Sequence, residues 1–459
     1  MSASPYLLSG RAVCATLALL AFTADAADAQ RARRPAKTRL RADTADTTRL
    51  RADVAYLASD ALEGRGTGTA GNDSAAAFLV RRHTRLGLLP VFVDSSAQRC
   101  VTVSTGGERT ACVQSYRQPF TARSAKRAHE GRGFEFPAQN VGALLRGTDP
   151  VLRDEVVIIG AHYDHLGREI DFAADPEAKD QIRNGADDNA SGTAGVLELA
   201  RRFRRVPTKR SLLFVHFGAE EMGLLGATAF LEHTPVAVPR TQAMINFDMI
   251  GRLRGDSLII AGIGTAAEWR PMIDSVNRAR PLTLALLPDG SGRSDHSAFN
   301  DREIPVLHFF TNVHDDYHRA TDDVEKINVA GMARVLDLAE GVVRELANRP
   351  TRLAYVKQAA PPPVAGGGGS NVYLGSVPDM ATVDGKGMKL SGVRPGSPAD
   401  VSGLKAGDVI VEFAGTPVTD LYTYTDALRS KQPGDEVVIV VMRGGERLSL
   451  KVVLGKRGG

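Results

Sequence analysis

The sequence predicts an α/β domain with a mostly parallel, mixed sheet that helices cover on both faces, followed by a small β-rich domain. Between residues 155 and 347, short apolar runs alternate with longer segments of helical periodicity. These runs are apolar on both faces, which is typical of strands in a parallel sheet that is buried on both sides. A stretch rich in proline and glycine then separates residues 371–457 from the rest of the chain.

Length and composition agree with more than one globular domain. The chain has 459 residues, which is too long for one ordinary core. Hydrophobic residues make up 43% and charged residues 24%, as in a soluble globular protein. The net charge of +4 is spread over both signs instead of forming one basic block, so nothing in the charge pattern indicates nucleic-acid binding.

The N-terminus has the layout of a secretory signal peptide. Arg11 precedes the apolar run AVCATLALLAF, and two sites with small residues follow at 24–26 and 27–29. The run is too short to span a bilayer. We therefore expect residues 1–29 to be a signal peptide, residues 30–47 to be a basic polar segment, and the mature protein to be secreted or periplasmic, with no transmembrane segment. The alternative, a buried N-terminal helix, is weaker because an Arg-rich segment follows at once.

Two cysteines remain beyond the apolar run. Cys100 and Cys112 flank the segment VTVSTGGERTA. In an exported protein, this pair predicts a disulfide that closes a small hairpin. The alternative is a pair of free thiols in a loop.

The elements follow in order from residue 48. Leu50, Val54, Leu57 and Ala61 recur at helical spacing, and a second helical pattern runs from Ala75 to Leu86. We assign residues 48–350 to one large domain, 351–370 to a linker and 371–457 to the C-terminal domain. The predicted strands are EVVIIGAHYD, SLLFVHFGAE, AMINFDMIG, DSLIIAG and IPVLHFFTN, and the later predicted helices are GTAGVLELARRFRR and GMARVLDLAEGVVRELAN.

Polar residues follow each of several predicted strands. Because the carboxyl ends of parallel strands meet at one edge of an open sheet, we expect these side chains to lie close together. Singly, each has a simpler explanation: a Glu-Glu pair is usually a solvated loop, and Asp-Asp-Asn is ordinary turn and helix-cap chemistry. The residues that follow predicted strands are His162, Asp164, Glu220, Glu221, Asp248, Tyr317 and His318. Asp187 and Asp188 lie between the first two of these strands, just ahead of a predicted helix.

Taken together, these residues predict a metal centre. Carboxylates at this density would repel each other and raise each other's pKa unless a cation neutralised them. Imidazole and carboxylate ligands without a thiolate suit zinc, and a catalytic site more than a structural one.

Six ordered blocks then resemble a known family: GAHYDHLG, NGADDNASG, FGAEEMGLLG, NFDMIG, RSDHSAF and DDYHRATDD. They are similar to the secreted bacterial double-zinc aminopeptidases, which are related to glutamate carboxypeptidase II and the glutaminyl cyclases. The resemblance spans roughly residues 50–347, including the opening LASDALEGRGTGTAGN. It implies the zinc exopeptidase fold, which is phosphorylase/hydrolase-like, and two zinc ions.

The resemblance also implies a role for each residue. Asp187 would bridge two zinc ions, with His162 and Asp248 completing one site and Glu221 and His318 the other. Glu220 would be the general base and Tyr317 would stabilise the oxyanion. Asp164 would hold the imidazole of His162 by contacting the ring nitrogen that does not bind the metal. Asp188 would support the site, and its peptide bond to Asp187 is expected to be cis. His165, Asp295 and His296 are further supporting candidates.

The C-terminal domain resembles a PDZ domain of the bacterial periplasmic-protease kind. GSPADVSGLKAGDVI carries the resemblance, and VYLG matches the loop whose amides receive a peptide carboxylate. The resemblance implies that Tyr373, Leu374 and Gly375 bind peptide C-termini. The alternative is a small β-rich domain that only packs on the catalytic core.

The function expected from these patterns is that of an exported zinc exopeptidase, most directly an aminopeptidase, acting on peptides or proteins. Two enzymatic alternatives use the same scaffold: a carboxypeptidase and a glutaminyl-cyclase-like aminoacyltransferase. A third alternative is a non-catalytic protein that binds peptides. The loss of an expected ligand would favour this last alternative, and no ligand is lost from the sequence.

Overall fold

The computed structural model describes residues 44–93, 100–104, 108–112, 114–123, 135–169, 173–175, 178–358, 372–378, 387–418, 423–424, 427–428 and 430–456. The predicted signal peptide and most of the predicted linker lie outside these residues. No helix in the described part of the chain is long and apolar enough to cross a membrane.

A nine-stranded mixed sheet forms the centre of the larger part of the described chain. The strands before residue 170 are β1 Leu89–Pro90, β2 Phe92–Val93, β3 Cys100–Ser104, β4 Glu108–Cys112, β5 Gln114–Ser115, β6 Arg117–Arg123, β7 Glu135–Leu145 and β8 Val156–His162. The later ones are β9 Ser211–Phe217, β10 Thr241–Phe247, β11 Ser257–Ala261, β12 Thr283–Leu287 and β13 Val306–Phe310. The order of strands in the nine-stranded sheet is β1-β7-β9-β8-β10-β13-β11-β12, with β6 paired to β7. The pairs β8/β9, β8/β10, β10/β13 and β11/β12 are parallel, which confirms the predicted sheet.

The central strands are buried on both faces because helices pack against each side. Along β8, Val157 and Ile159 belong to one core cluster, whereas Val156 and Ile158 belong to another. This alternation is the period of two that a strand imposes on its side chains. The helices of the larger part are Thr44–Leu57, Ala70–Arg85, Gly192–Arg205, Leu225–Glu232, Trp269–Asn277, His296–Asn300 and Val329–Asn348.

The second predicted helix begins five residues earlier than its apolar pattern. The hydroxyl of Thr69 accepts a hydrogen bond from the amide of Asn72, which caps a helix over Ala70–Arg85. The first helix ends at Leu57, and a short 3₁₀ segment over Asp60–Arg65 replaces its predicted last turn.

The C-terminal domain has its own antiparallel sheet and its own core. The strands are β14 Val372–Tyr373, β15 Ser376–Pro378, β16 Met388–Val393, β17 Val409–Phe413, β18 Thr416–Pro417, β19 Glu436–Arg443, β20 Glu446–Val453 and β21 Gly455–Lys456. The sheet order is β15-β16-β17-β19-β20, with β18 paired to β17, and β14 pairs with β21. Ser397 caps the short helix Pro398–Val401 by accepting from the amide of Asp400. The predicted small β-rich domain is confirmed.

The two later cysteines lie opposite each other in a hairpin. In the antiparallel pair β3/β4, the backbone of Cys100 is in register with that of Cys112. Their side chains lie outside the described part of the structure, so the disulfide stays a prediction.

A buried histidine pair lies between the second helix and the sheet. The Nε2 atoms of His83 and His216 are 3.0 Å apart, and both residues are fully buried. Burial lowers the pKa of His83 from 6.5 to about 3, and burial and His83 lower the pKa of His216 well below its usual value. Both imidazoles are therefore neutral in the folded protein at neutral pH.

We expect this pair to make the protein less stable as the pH falls below about 6.5. In that range the unfolded chain binds protons on these histidines and the folded chain does not, down to about pH 3 for His83. The free energy of unfolding should fall less steeply with decreasing pH in the variant His83→Gln than in the wild type. The difference between the two slopes should be about 1.4 kcal/mol per pH unit. Urea titrations at a series of pH values measure this slope, and identical slopes for the two proteins would contradict the assignment.

Candidate metal centre at the carboxyl edge of the sheet

The candidate ligands lie where neighbouring parallel strands end. His162 is the last residue of β8, and Asp248 directly follows β10. Glu220 and Glu221 follow β9 after Ala219, whose φ of 56° turns the chain sharply. These strand ends are adjacent because β9, β8, β10 and β13 are neighbours in the sheet. The topology therefore brings together side chains that are far apart in sequence.

One group of donors consists of His162, Asp188 and Asp248. The Nε2 atom of His162 is 3.4 Å from Asp188 Oδ1 and 3.4 Å from Asp248 Oδ1. The three donor atoms lie within 4.8 Å of one another, which is close enough to bind a single cation.

A second group lies on the other side of Asp188. His165, Asp188 and Glu221 also place one donor atom each within 4.8 Å of one another. The Nε2 atom of His318 is 3.2 Å from Asp188 Oδ2 and 3.1 Å from Glu221 Oε2. His165 Nδ1 lies 2.8 Å from the other oxygen of Glu221. Glu221 therefore has an imidazole on each side.

Asp188, and not Asp187, lies between the two groups, which corrects the expected bridging residue. Both oxygens of Asp187 are bonded within the protein: Oδ1 accepts from the amide of Gly251 at 2.6 Å and the hydroxyl of Ser191 at 2.9 Å. Oδ2 lies 3.1 Å from His314 Nε2. The cis peptide bond also lies one residue later than expected, between Asp188 and Asn189. The irregular turn over Ala186–Ser191 directs the two adjacent carboxylates in different directions.

Asp164 supports the glutamates more directly than it supports His162. Its Oδ1 accepts from the amide of Glu220 at 3.1 Å, and its Oδ2 accepts from the amide of Glu221 at 3.4 Å and the hydroxyl of Thr67 at 3.3 Å. His162 Nδ1 is 3.8 Å from Asp164 Oδ1 but 3.2 Å from the Asp164 carbonyl oxygen. The carboxylate thus fixes the backbone that carries both glutamates, and the carbonyl lies against the imidazole.

Asp248 has one carboxylate oxygen that is satisfied within the protein and one that faces the donor group without a partner. The hydroxyl of Ser294 donates to its Oδ2 at 2.8 Å, and Asn246 donates to Ser294 at 2.8 Å. The Oδ1 atom, which faces His162, is buried and has no hydrogen-bond partner among the described residues. A buried carboxylate oxygen without a partner is costly unless a cation binds it. Together with the imidazole and carboxylate donors, this atom fits zinc.

The protonation of the cluster also reflects an excess of negative charge. Burial would lower the pKa of His162, but nearby carboxylates, Glu220 and Asp248 first, raise it well above its usual value. Glu221 behaves in the opposite way: burial would raise its pKa, but His318 and other partners lower it to about 2. The group therefore requires compensating positive charge, from protons or from a bound cation.

Glu220 differs from Glu221 in its surroundings. Its carboxylate is buried, and its Oε2 lies 4.0 Å from His162 Nε2, farther than the two aspartates. Burial raises its pKa well above the usual value, and Glu221 adds to this effect. Glu220 belongs to neither donor group within the described residues.

The other candidates lie at the border of the cluster. The ring of Tyr317 stacks on His318 at 3.9 Å between centroids, and burial raises the pKa of Tyr317 well above 10. Asp295 is fully buried, and burial raises its pKa to about 8. His296 lies against His308, at 4.3 Å between ring centroids, so it contributes to the packing beside Ser294 and Asp295.

Sequence reasoning missed a buried arginine below the centre. Arg65 is fully buried and donates to the carbonyl oxygens of Tyr163 at 2.7 Å, Asn184 at 2.7 Å and Gly185 at 3.0 Å. It thereby ties together the loops that carry the ligands of both groups. Arg65 lies in the block LASDALEGRGTGTAGN, which the family resemblance covers, but nothing else in the sequence distinguishes it from an exposed arginine of a loop.

Comparisons with known proteins show what the two parts of the chain are similar to. Residues 140–343 match the model of peptidase family M28, and residues 373–454 match that of the PDZ domain. The chain is similar to the aminopeptidase YwaD of Bacillus subtilis, at 27% identity over 232 residues, which are 48% of this chain and 47% of that protein. The chain thus spans about half the length of this relative.

Two solved structures are similar in fold. A leucine aminopeptidase precursor from Bacteroides thetaiotaomicron has a TM-score of 0.51 at 16% identity and covers 66% of this chain and 97% of its own. A glutaminyl cyclase from the same species has a TM-score of 0.50 at 15% identity, with the same two coverages. The scaffold is therefore shared by structures with both descriptions, and the fold alone does not separate hydrolysis from cyclisation.

Proposed function

We propose that this chain is an exported zinc-dependent aminopeptidase, since residues 140–343 match the model of peptidase family M28 and residues 373–454 match that of the PDZ domain. The observation that carries the proposal is the meeting of His162, Asp248, Glu221 and His318 around the shared carboxylate of Asp188. Export is proposed from the signal-peptide pattern of residues 1–29.

The ligands divide into two sets around Asp188. His162 and Asp248 would hold one zinc ion and Glu221 and His318 the other, with Asp188 shared between them. His165 would hold Glu221 in place, since its Nδ1 lies 2.8 Å from Glu221 Oε1. A pair of zinc ions, when bound, would lower the pKa of a shared water and polarise the substrate carbonyl.

Glu220 is the proposed general base. Its carboxylate borders His162, and its backbone is fixed by Asp164. A carboxylate with a raised pKa is suited to accept a proton from the attacking water and then to donate it to the leaving amine. Tyr317 stays protonated at neutral pH, so its hydroxyl can donate a hydrogen bond to the oxyanion of the substrate.

Hydrolysis is favoured over cyclisation by the donor arrangement. A single-zinc cyclase does not need a second ligand set, whereas here the groups on both sides of Asp188 satisfy the distance requirement for a cation. Between the two exopeptidase activities, the similarity to YwaD supports an aminopeptidase.

The decisive experiment combines metal analysis with a substrate screen. We expect purified protein to contain zinc, to hydrolyse L-leucine 4-nitroanilide, and to lose this activity in 1,10-phenanthroline and regain it with added zinc. N-acetyl-leucine 4-nitroanilide should not be cleaved, because an aminopeptidase requires a free α-amino group. Cleavage of N-blocked dipeptides with a free carboxyl end would instead indicate a carboxypeptidase, and cyclisation of N-terminal glutamine would indicate the cyclase.

The loop of Tyr373, Leu374 and Gly375 is proposed to bind a peptide carboxyl end. The carbonyls of Leu374 and Gly375 accept from the amides of Ala399 and Arg394, which fixes the direction in which the loop's own amides point. Gly375 has a φ of 83°, and a Cβ there would come within 2.2 Å of Ser397, so only glycine fits.

We expect an N-acetylated peptide with a free carboxyl end to bind this loop at least about tenfold more tightly than the matched C-terminal amide, since a charged carboxylate strengthens its hydrogen bonds to amides. Isothermal titration calorimetry of the pair measures the difference. Equal affinities would contradict carboxylate recognition by this loop, and no binding of either peptide would indicate a domain with a packing role only.

A further inference from the structure

A chain of hydrogen bonds joins the carboxylate loop of the C-terminal domain to a residue of the metal centre. The amide of Arg394 donates to the carbonyl of Gly375 at 2.8 Å. The side chain of the same arginine donates from Nη1 to the carbonyl of Ala174 at 3.3 Å. The amide of Ala174 in turn donates to the carbonyl of His318 at 2.8 Å. Three hydrogen bonds therefore link Gly375 to His318.

A second contact lies beside the first. A Cβ built on Gly392 of β16 would lie 3.8 Å from Asp315 Oδ1. Asp315 is three residues before His318, so the end of β16 lies against the loop that carries Tyr317 and His318. These two contacts join Gly392 and Arg394 to the loop of the metal centre and to Ala174.

Ala174 belongs to a short segment that is held in place by the contacts of Asp175. Asp175 is buried and accepts from Arg183, at 2.7 Å through its Oδ1 and at 2.7 Å through its carbonyl oxygen. Its Oδ2 accepts from the amide of Ala320 at 2.8 Å. Because Arg183 is fully buried, this ion pair is well shielded from solvent. The segment Ala174–Asp175 therefore contacts the backbone on both sides of Arg319.

His318 needs such support because of its backbone conformation. Its φ is 57°, in the left-handed region that residues other than glycine rarely adopt. A residue in this region keeps its conformation only when its surroundings determine it. The bonds from Ala174 to the carbonyl of His318 and from Ala320 to Asp175 hold the backbone at this point.

We propose that the segment Ala174–Asp175 couples the carboxylate loop to His318, so that a peptide carboxyl end bound at Gly375 raises turnover at the metal centre. Arg394 is the positioning residue of this coupling, because its backbone contacts the loop and its side chain contacts the segment. A bound carboxylate would order Gly375 and Arg394, and thereby stabilise the conformation of His318. The proposal rests on the proposed function for its effect on turnover, but the structural coupling can be measured without it.

The first experiment uses hydrogen–deuterium exchange on the full chain. In the variant Arg394→Met, fragments that contain Ala174 and Ala320 should exchange on the order of tenfold faster than in the wild type, since their local opening becomes easier. Arg394→Lys, which can still donate to the carbonyl of Ala174, should restore slow exchange. The matched control is Arg447→Met, because Arg447 contacts Glu412 within the C-terminal domain. Unchanged exchange in Arg394→Met, with all variants folded, would overturn the coupling.

The second experiment measures turnover of L-leucine 4-nitroanilide. Arg394→Met should lower kcat on the order of fivefold with KM little changed, whereas Arg394→Lys and Arg447→Met should resemble the wild type. An N-acetylated heptapeptide ending in valine should raise the kcat of the wild type and not that of Arg394→Met, and its C-terminal amide should have no effect. An equal kcat in all variants would remove the regulation. If no variant cleaves the anilide while the exchange differences are present, the proposed function fails and the structural coupling stands.

Discussion

Replacing Glu220 with glutamine is expected to reduce kcat on L-leucine 4-nitroanilide by at least about 10²–10⁴-fold, the usual contribution of a general base. Glutamine has the same shape but cannot accept the proton of the attacking water. Zinc content should not change, because Glu220 lies outside both donor groups of the described residues. The backbone contact to Asp164 uses the amide of residue 220 and is kept in the variant. Kinetics and metal analysis on one preparation measure both quantities.

Two control substitutions test whether the expected effect is specific to residue 220. Glu221→Gln, one residue later, should lose zinc as well as activity, since Glu221 lies beside both His165 and His318. Glu232→Gln, at the exposed end of the helix Leu225–Glu232, should leave both quantities unchanged. Wild-type turnover in Glu220→Gln would remove Glu220 from the mechanism.

The position of the site could be predicted from the sequence because continuous apolar runs show where the central strands end. The apolar runs that became β8, β9 and β10 are each followed by chemically unusual residues, and parallel neighbours must bring those residues together. The antiparallel strand β7, which pairs with β9 and with β6, was not predicted. Its exposed and buried positions alternate irregularly, so it lacks the continuous apolar run that marked the central strands.

The choice between Asp187 and Asp188 could not be read from the sequence. The two residues are adjacent and chemically identical, and only the backbone of the turn determines which carboxylate points between the imidazoles. Asp164 is a similar case, since a spacing of two from His162 does not tell that its oxygens accept the amides of two glutamates from another strand. Ser294 and Arg65 were missed because hydroxyls and buried arginines occur for many reasons, and their partners become visible only in three dimensions.

The zinc content of two single variants, one at each of the adjacent aspartates 187 and 188, shows which carboxylate bridges the metal ions. Asp188→Asn should lose nearly all zinc on dialysis and should reduce activity more than about 10³-fold, since it removes the one carboxylate that both ions would share. Asp187→Asn should keep its zinc. Its amide oxygen can still accept from Gly251 and Ser191, and its NH₂ group would face the Nε2 atom of His314.

The charge around residue 187 also favours a folded protein when asparagine replaces this aspartate. Burial and then the nearby Asp187 raise the pKa of Asp322, so a neutral residue at 187 would relieve part of this repulsion. Asp322 accepts from the amides of both residue 187 and residue 188, and these bonds do not depend on the side chain at 187. Zinc analysis of the two variants, with thermal unfolding to show that both are folded, decides the question. Zinc loss in Asp187→Asn together with zinc retention in Asp188→Asn would return the bridging role to Asp187.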